Sequence, residues 1–409
     1  MLLDDLFRSS IRDGSIEVVD VQGQTSRYGS ETGPQVTIRI KDPWLFWKAP
    51  LNPSVALAEA YMDGRLDVEK GTLRDTIEVF TRNYEHLERH WLARFGARLV
   101  GHGKKLAQYN PRHRARRNVA HHYDLSEALY RLFLDADMQY SCAYFARPDM
   151  TLDEAQEAKK RHIAAKLLLD RPDLSVLDIG SGWGGLGLHL AEQVGCDVTG
   201  VTLSKEQHRV STQRAREHGL DGRVRFALQD YRDIDRRFDR VVSVGMFEHV
   251  GKRHYGEFFT KLRDLLDDDG VAVIHSVGRF DEPSPINPFI RKYIFPGADV
   301  PSLSEVLPAI ERARLLVTDI EVLRLHYAET LRHWHERFLA NRDRIRSLYD
   351  ERFCRMWELY LLSCEYGFRH MGLMIFQIQI AKRQHALPLT RDYMFEAERA
   401  IRIPARAAE

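Results

Sequence analysis

The sequence contains little cysteine and no long hydrophobic run. Four cysteines occur among 409 residues, with no CxxC pair, and they are Cys142, Cys196, Cys354 and Cys364. This spacing argues against a structural zinc site, and we expect no bound metal. No apolar run approaches the roughly 18 residues of a membrane-spanning helix, and no signal peptide is recognisable. These absences predict a reduced, cytoplasmic protein.

The chain also lacks an excess of charge of one sign, except in one segment. Its 60 Lys and Arg residues balance 59 Asp and Glu residues, which excludes a global polyanion-binding signature. Residues 89–117, however, carry nine Lys or Arg residues and no acidic residue, with Trp91 and Phe95 among them. A solvated basic helix, an anionic membrane surface and nucleic acid are the three interpretations of such a run. We favour the membrane surface and expect no nucleic acid partner.

Glycine is concentrated in one stretch, at residues 180–187. Five glycines there follow an apolar run at residues 176–179, and a periodic segment and a second strand-like run come next. A strand, glycine-rich turn, helix and strand in this order bind an adenosine-bearing cofactor at the carboxyl end of the first strand. The dinucleotide fingerprint is formally present, but residues 200–204 lack the acidic residue that a nicotinamide site needs. Asp178 and the dense glycine turn therefore favour S-adenosylmethionine (SAM).

Polar residues follow four of the strand-like runs in the α/β alternation after residue 170. They are Asp178, Asp230, Glu248 and His275. Functional groups of open α/β sheets lie at the carboxyl ends of the strands, so we expect these side chains to meet at one edge. The pattern predicts an α/β, doubly wound, Rossmann-like domain.

A smaller α+β domain is predicted ahead of it. Residues 16–21 and 35–40 alternate as strands do, and the Gly- and Ser-containing stretch between them indicates a hairpin loop. Trp44 and Trp47 follow, and they either pack in the core or belong to a lipid-binding surface. The predicted organisation is a lipid-binding-like domain at 1–85, a basic linker or helix at 86–117 and a catalytic domain at 118–409.

Eight motifs resemble the cyclopropane-fatty-acid synthase family in order and spacing, over residues 118 to about 340. They are HHYDLSEALYRLFLD, YSCAYF, LDIGSGWGG, GVTLSKEQ, MFEHVG, HSVG, FPG and HYAETLRHW. That family includes the mycolic-acid methyltransferases. The resemblance implies a SAM-dependent methyltransferase domain and a small N-terminal domain similar to sterol-carrier-type lipid-binding folds. The family usually has cysteine where Ser181 stands.

The resemblance also implies roles for particular residues. The SAM pocket would be formed by Tyr140, Ser141, Val176, Asp178, Gly180, Gly182, Gly184, Thr202, Leu203, Gln207, Asp230 and Tyr231. A bicarbonate ion beside the reacting carbon would be held by Cys142, Glu248, His275, Val277 and Tyr327. Of these, Val277 would act through its backbone.

The implied reaction is methylation of the cis double bond of a phospholipid acyl chain, followed by closure of a three-membered ring. An alkene is a weak nucleophile, so the sulfonium must be held in line with it, and a small anion can then remove a proton where no side chain reaches. A homodimer at the inner membrane surface is expected. The alternatives are a lipid methyltransferase that leaves a methyl branch or a methylene group, a small-molecule N-methyltransferase, and a non-catalytic lipid-binding protein.

Overall fold

The chain forms two compact units, each built from separate stretches of sequence. A computed structural model describes residues 2–49, 52–89 and 125–400. The first unit comprises Met1–Tyr109, Ile286–Pro296 and Leu331–Leu373, and the second comprises Asn110–Pro285, Gly297–Thr330 and Met374–Glu409. The predicted boundaries at 85 and 117 stay a prediction. The division differs from them because two stretches expected in the catalytic domain, 286–296 and 331–373, group with the N-terminal segment.

The first 89 residues contain five helices and four strands in their described part. The helices are α1 (Leu2–Ser10), α2 (Leu45–Lys48), α3 (Pro53–Met62), α4 (Leu73–Arg82) and α5 (Tyr84–Arg89). The strands are β1 (Ser15–Val19), β2 (Thr25–Gly29), β3 (Gln35–Ile40) and β4 (Leu66–Lys70), in the sheet order β2-β1-β3-β4. Apolar residues of β1 and β3, such as Ile16 and Ile38, pack against Phe7 of α1.

The predicted hairpin between the first two alternating segments is wrong. Strand β2 lies within the stretch expected to be a loop, and it pairs antiparallel with β1. Strand β1 then pairs parallel with β3. Strand β2 carries mostly exposed side chains, so it lacks the alternating apolar pattern from which a strand is recognised.

Residues 125–400 contain ten helices and seven strands. The helices are α6 (Glu127–Phe133), α7 (Leu152–Lys166), α8 (Gly185–Val194), α9 (Lys205–Glu217), α10 (Tyr255–Leu265), α11 (Leu303–Arg312), α12 (His326–Ala340), α13 (Arg342–Leu348), α14 (Glu351–His370) and α15 (Asp392–Ala400). The strands are β5 (Ser175–Ile179), β6 (Asp197–Thr202), β7 (Val224–Leu228), β8 (Phe238–Val244), β9 (Leu266–Arg279), β10 (Leu316–Leu323) and β11 (Leu373–Ala381).

Helix α14 belongs to the first unit, where it packs against α3 and α4. Arg74 of α4 donates to Glu365 of α14 over 2.8 Å, and the Glu365 side chain is almost fully buried. Tyr366 donates its hydroxyl to Glu78 over 2.9 Å. These contacts explain why residues 331–373 group with the N-terminal segment rather than with the second unit.

The second unit is a doubly wound α/β domain. Its seven strands have the order β10-β11-β9-β8-β5-β6-β7, and β5 to β9 pair in parallel. Adjacent residues of β5 enter separate cores: Leu177 packs in one apolar cluster and Val176 in another. Because successive strand residues point to opposite faces, the sheet is covered on both sides, as parallel sheets require. The predicted fold class is confirmed.

Candidate active site

The carboxyl ends of the parallel strands bring the predicted polar residues to one edge of the sheet. Asp178 of β5 pairs in register with Gly200 of β6 and Val242 of β8. His275 of β9 stands opposite Val244 at the end of β8, and Glu248 comes four residues after Val244. The turn between them is held by a hydrogen bond of 2.9 Å from the Gly245 amide to the His275 carbonyl.

The glycine turn joins β5 to α8 with an open space beside it. Gly180, Gly182 and Gly184 all have positive φ, at 85°, 54° and 87°. A Cβ on Gly184 would lie 2.7 Å from the Phe226 ring, whereas a Cβ on Gly182 would meet no atom within 4 Å. The turn is therefore packed on one side and open at Gly182. An open glycine backbone next to a helix N-terminus suits the close approach of a ligand.

Three buried oxygen atoms at this edge have no hydrogen-bond partner within the described residues. They belong to Asp178 (Oδ2), Ser181 (Oγ) and Glu248 (Oε2). Buried polar atoms are almost always paired, so such a group of unpaired atoms indicates a ligand. Burial raises the pKa of Asp178 to about 7. A cationic cofactor beside this carboxylate would offset the burial, and SAM fits this requirement.

Five of the remaining predicted cofactor residues lie at or after the ends of β6 and β7: Thr202, Leu203, Gln207, Asp230 and Tyr231. The Thr202 hydroxyl donates to Gln207 over 2.9 Å and accepts from the Ser204 amide at 3.2 Å, which fixes the Thr202–Gln207 loop around Leu203. Asp230 follows β7 and receives two hydrogen bonds from the Arg232 guanidinium, of 2.9 and 2.6 Å, and a third from the Arg232 amide. Tyr231 lies edge-to-face with Phe258. Val176 is buried within β5.

A buried lysine that the sequence analysis missed holds the Tyr140–Cys142 segment. Lys159 of α7 is 1% exposed, and its ammonium donates to Ser141 Oγ over 2.9 Å. Gln156, one turn earlier, donates to the Ser141 carbonyl over 3.0 Å. Burial lowers the pKa of Lys159. Nothing in the sequence distinguishes Lys159 from the other polar residues of α7, since Gln156 and His162 are buried on the same face.

Aromatic contacts and a neutral thiol complete that segment. The Tyr140 ring packs edge-to-face against Tyr130 at 5.2 Å between ring centroids. Cys142 is buried, its thiol lies 3.2 Å from the Ala143 carbonyl, and burial raises the pKa of the thiol well above its usual range. A Cβ on Gly245 would lie 3.9 Å from Ser141 Cβ, so this segment adjoins the end of β8.

Glu248 and Val277 meet directly. The Val277 amide donates to Glu248 Oε1 over 2.6 Å. Val277 was expected to act on an ion through its backbone, and here its backbone N–H holds the carboxylate of Glu248. Burial raises the pKa of Glu248 to about 7, and it lowers the pKa of His275 well below its ordinary value. Both side chains are buried, and the positive charges of Lys159 and Lys166 further disfavour protonation of His275, so the uncharged forms are favoured.

Tyr327 is placed beside the Cys142 segment through its own helix. It is the second residue of α12, and Thr330, one turn later, accepts a hydrogen bond of 3.0 Å from the Ala143 amide. His326 accepts from the Phe145 amide at 3.0 Å and stacks on Tyr144 at 5.1 Å. The structure thus brings all five residues predicted to hold the ion to the same end of the second unit.

The doubly wound sheet, the open glycine turn and the unpaired carboxylate beside it are the features of a SAM-dependent methyltransferase. No helix in the described ranges is long and apolar enough to cross a membrane. The same ranges contain no group of three or more His, Cys, Asp or Glu side chains arranged to hold a metal ion.

Comparison with known proteins identifies the family. The profile of the mycolic acid cyclopropane synthetase family matches residues 110–378, and a domain of unknown function matches residues 2–90. The chain belongs to the cyclopropane synthase family and is a SAM-dependent C-methyltransferase.

Two curated relatives and one solved structure represent the similarity. The chain is 38% identical to a probable fatty acid methyltransferase of Pseudomonas putida, over 88% of this chain and 92% of the relative. It is 37% identical to the cyclopropane-fatty-acyl-phospholipid synthase of Escherichia coli K12, over 84% and 87%. The mycolic acid cyclopropane synthase CmaA1 in complex with SAH and CTAB aligns with a TM-score of 0.62 at 34% identity, covering 67% of this chain and 99% of that one.

Proposed function

We propose that the protein transfers a methylene group from SAM to the cis double bond of unsaturated phospholipid acyl chains and closes a cyclopropane ring. The E. coli relative, which aligns along most of its length, is named for this reaction. SAM supplies the methyl group as a sulfonium. The protein must hold the alkene in line with it and exclude water from the cation that forms. It must also remove one proton from the added carbon, so that the C–H electrons close the ring.

The single observation that carries the proposal is the burial of three polar groups, Cys142, His275 and Glu248, at the edge of the sheet. Burial favours the uncharged forms of Cys142, His275 and Glu248. The neutral thiol and the neutral ring each keep one proton to donate to a small anion. Glu248 Oε2 has no partner within the described residues, so it can accept the hydroxyl hydrogen of such an anion, which the NH₂ group of a glutamine cannot do. We propose that bicarbonate binds here and accepts the proton from the methylated chain.

Replacing Glu248 by glutamine tests this proposal. Glu248→Gln should keep the fold and the SAM affinity, because the glycine turn is unchanged. Its turnover should fall by about 10² to 10⁴, the usual contribution of general acid–base groups. Removing dissolved carbonate from the wild-type assay should produce a similar loss, and added bicarbonate should reverse it in the wild type but not in the variant.

A matched control lies at the other end of the same strand. Asp239, near the start of β8, accepts from the Ser175 amide and hydroxyl. Asp239→Asn should lower the melting temperature without a loss of turnover per folded molecule. Near-normal turnover in well-folded Glu248→Gln would exclude the proposed role of Glu248.

Methylation without ring closure is the second candidate, because the P. putida relative is named a fatty acid methyltransferase. A cyclopropane and a methylene product have the same mass. A methyl-branched saturated product is heavier by two hydrogens, and its formation needs a hydride donor in addition to SAM. Mass spectrometry of phospholipid acyl chains from expressing cells therefore separates the branched product. Proton NMR of the same lipids, in which ring protons resonate upfield of other acyl protons, separates the other two.

We also propose that the protein associates peripherally with the inner membrane surface and forms a homodimer. Trp44 and Trp47 support the membrane contact, since their side chains are 66% and 62% exposed on the first unit. The expectation that they pack in the core is wrong. Tryptophan is the residue that bilayer interfaces favour. The homodimer rests on the family resemblance, and light scattering of the purified protein tests it.

A further inference from the structure

Two glutamines interrupt the buried apolar strand β11. Gln377 and Gln379 are 1% and 2% exposed, so each needs hydrogen-bond partners. Both polar atoms of the Gln379 amide form hydrogen bonds with neighbouring residues of the fold. Its Nε2 donates to the Tyr393 hydroxyl over 2.6 Å and to the Lys166 carbonyl, and its Oε1 accepts from the Thr318 hydroxyl at 2.8 Å. Gln377 lies two residues earlier on the same face of the strand, but it contacts the active site.

The orientation of the Gln377 amide follows from its two neighbours. The Lys166 ammonium lies 2.7 Å from one amide atom of Gln377, and His275 Nδ1 lies 3.1 Å from the other. An ammonium only donates hydrogen bonds, so the atom facing Lys166 must be the amide oxygen. The NH₂ group then faces Nδ1 of His275 as a donor. Nδ1 must accept, and in a neutral ring the proton therefore resides on Nε2.

Lys166 is itself fixed by a second pair of contacts. Its ammonium also donates to Glu321, which accepts from His162 Nε2 at 2.6 Å. His162 Nδ1 lies 3.1 Å from Glu398. Although burial alone raises the pKa of Glu321, its contacts with His162 and Lys166 hold that pKa at about 2. A charged carboxylate thus keeps Lys166 pointed at Gln377, and the amide cannot flip without placing two donors against each other.

We propose that Gln377 is a positioning residue that holds His275 as the Nε2–H tautomer, with Lys166 and Glu321 fixing the orientation of its amide. This inference rests on the proposed function, in which His275 donates to the anion at the edge of the sheet. Gln377 occupies Nδ1 of His275, so Nε2 is the ring atom left to carry a proton toward a ligand. With the other tautomer, the site would present a lone pair to the anion and repel it.

Gln377→Met and the control Gln379→Met separate positioning from packing. Methionine has a similar volume but neither donates nor accepts strongly. Both variants remove a buried amide from the same face of β11, so both should lower the melting temperature. Only Gln377→Met should let His275 populate both tautomers, which NMR of protein labelled with nitrogen-15 histidine detects, with His275→Gln to assign the signals. Its turnover should fall about tenfold, the value of one typical hydrogen bond, with SAM affinity unchanged.

Gln377→Glu provides a second test in case Gln377→Met folds poorly. A carboxylate at this position pairs with Lys166 and accepts from His275, so the ring proton should move to Nδ1 and turnover should fall further than in Gln377→Met. An Nδ1–H tautomer in the wild-type protein would overturn the inference. So would an unchanged tautomer in both Gln377 variants, or equal losses of turnover in Gln377→Met and Gln379→Met. The tautomer is read without substrate, so a wild type that forms no ring would refute the proposed function and leave this result intact.

Discussion

At the scale of single residues, burial sets the charge at the edge of the sheet. It raises the pKa values of Asp178 and Glu248, each to about 7, and it lowers that of His275. The two carboxyl groups nevertheless have different surroundings. One oxygen of Glu248 is held by the Val277 amide, whereas Asp178 lies beside the open glycine turn and within the electrostatic influence of Lys159. Asp178 is therefore the group whose ionisation a bound cation would change most.

Asp178 should link SAM binding to pH. Its pKa rises from 3.8 in the unfolded chain to about 7 in the fold. The stability that it contributes is therefore complete below about pH 4 and is lost as the pH rises through about 7. A cationic ligand that pairs with the ionised carboxylate recovers this loss. We expect SAM affinity, measured by calorimetry, to rise by up to about tenfold from about pH 6 to about pH 8.

Asp178→Asn is the control for this pH dependence, because the amide does not ionise. The variant should bind SAM more weakly. Its SAM affinity should change only slightly with pH, through the ionisation of Glu248. If the wild type and Asp178→Asn show the same pH dependence, Asp178 does not contact the cationic part of the cofactor.

At the scale of elements, the glycine turn makes two neighbouring positions respond differently to the same change. Gly182→Ala introduces a methyl group at positive φ, a strain of about 1–2 kcal/mol, but into open space. Gly184→Ala adds the same strain and a contact with the Phe226 ring, and overpacking costs about 1–3 kcal/mol more. We expect Gly182→Ala to lose SAM affinity with a small drop in melting temperature, and Gly184→Ala to show the larger drop. The reverse order of melting temperatures would contradict the geometry of the turn.

Elements with strong apolar patterns were predictable from the sequence. The apolar patterns at 35–40 and 238–244 each predict a strand, and the structure has β3 and β8 at these bounds, because buried strands need apolar side chains. Strand β2 was missed, since its exposed TSRYG segment is held by backbone pairing with β1 rather than by burial. The sequence also predicts a helix over 125–134 capped by Asp124. Asp124 lies outside the described residues, and α6 begins after Ser126.

In the candidate site, too, some residues were predictable from the sequence and others were not. Polar residues at strand ends were predictable, because parallel strands finish at a common edge. Lys159 and Gln377 were not, since each acts through a partner distant in sequence: Ser141 for Lys159 and His275 for Gln377. A sequence pattern contains only residue types and their spacing along the chain. It does not show that the Gln377 amide forms a hydrogen bond with the His275 ring.

At the scale of the whole molecule, the formal net charge is only +1. The overall charge therefore does not attract the protein to an anionic membrane, and local features must supply the contact. The acid-free basic run at 89–117 is one, although it lies outside the described residues beyond Arg89. The exposed pair Trp44 and Trp47 is the other. Together they predict binding that depends both on anionic lipid and on apolar contact.

Vesicle flotation measures the two contributions separately. Binding to unsaturated anionic vesicles should weaken as salt rises, since exposed charges are screened within about 8–10 Å at physiological ionic strength. The double variant Trp44→Ser, Trp47→Ser should bind at least about tenfold more weakly, because two large side chains no longer leave water. Phe280→Ser is the control, as Phe280 is 59% exposed on the second unit. Equal binding to neutral and anionic vesicles, or equal losses in the double variant and the control, would contradict the prediction.

The packing of α14 on α3 and α4 has a consequence for how the chain is made. Arg74 and its buried partner Glu365 are 291 residues apart. At a synthesis rate of about 5–20 residues per second, roughly 15–60 s separate their emergence from the ribosome. During that interval the face of α4 that receives α14 has no partner, even though the sheet beneath it can already form. The last part of the N-terminal unit to assemble is thus synthesised 291 residues after Arg74, and the nascent chain must remain soluble until it arrives.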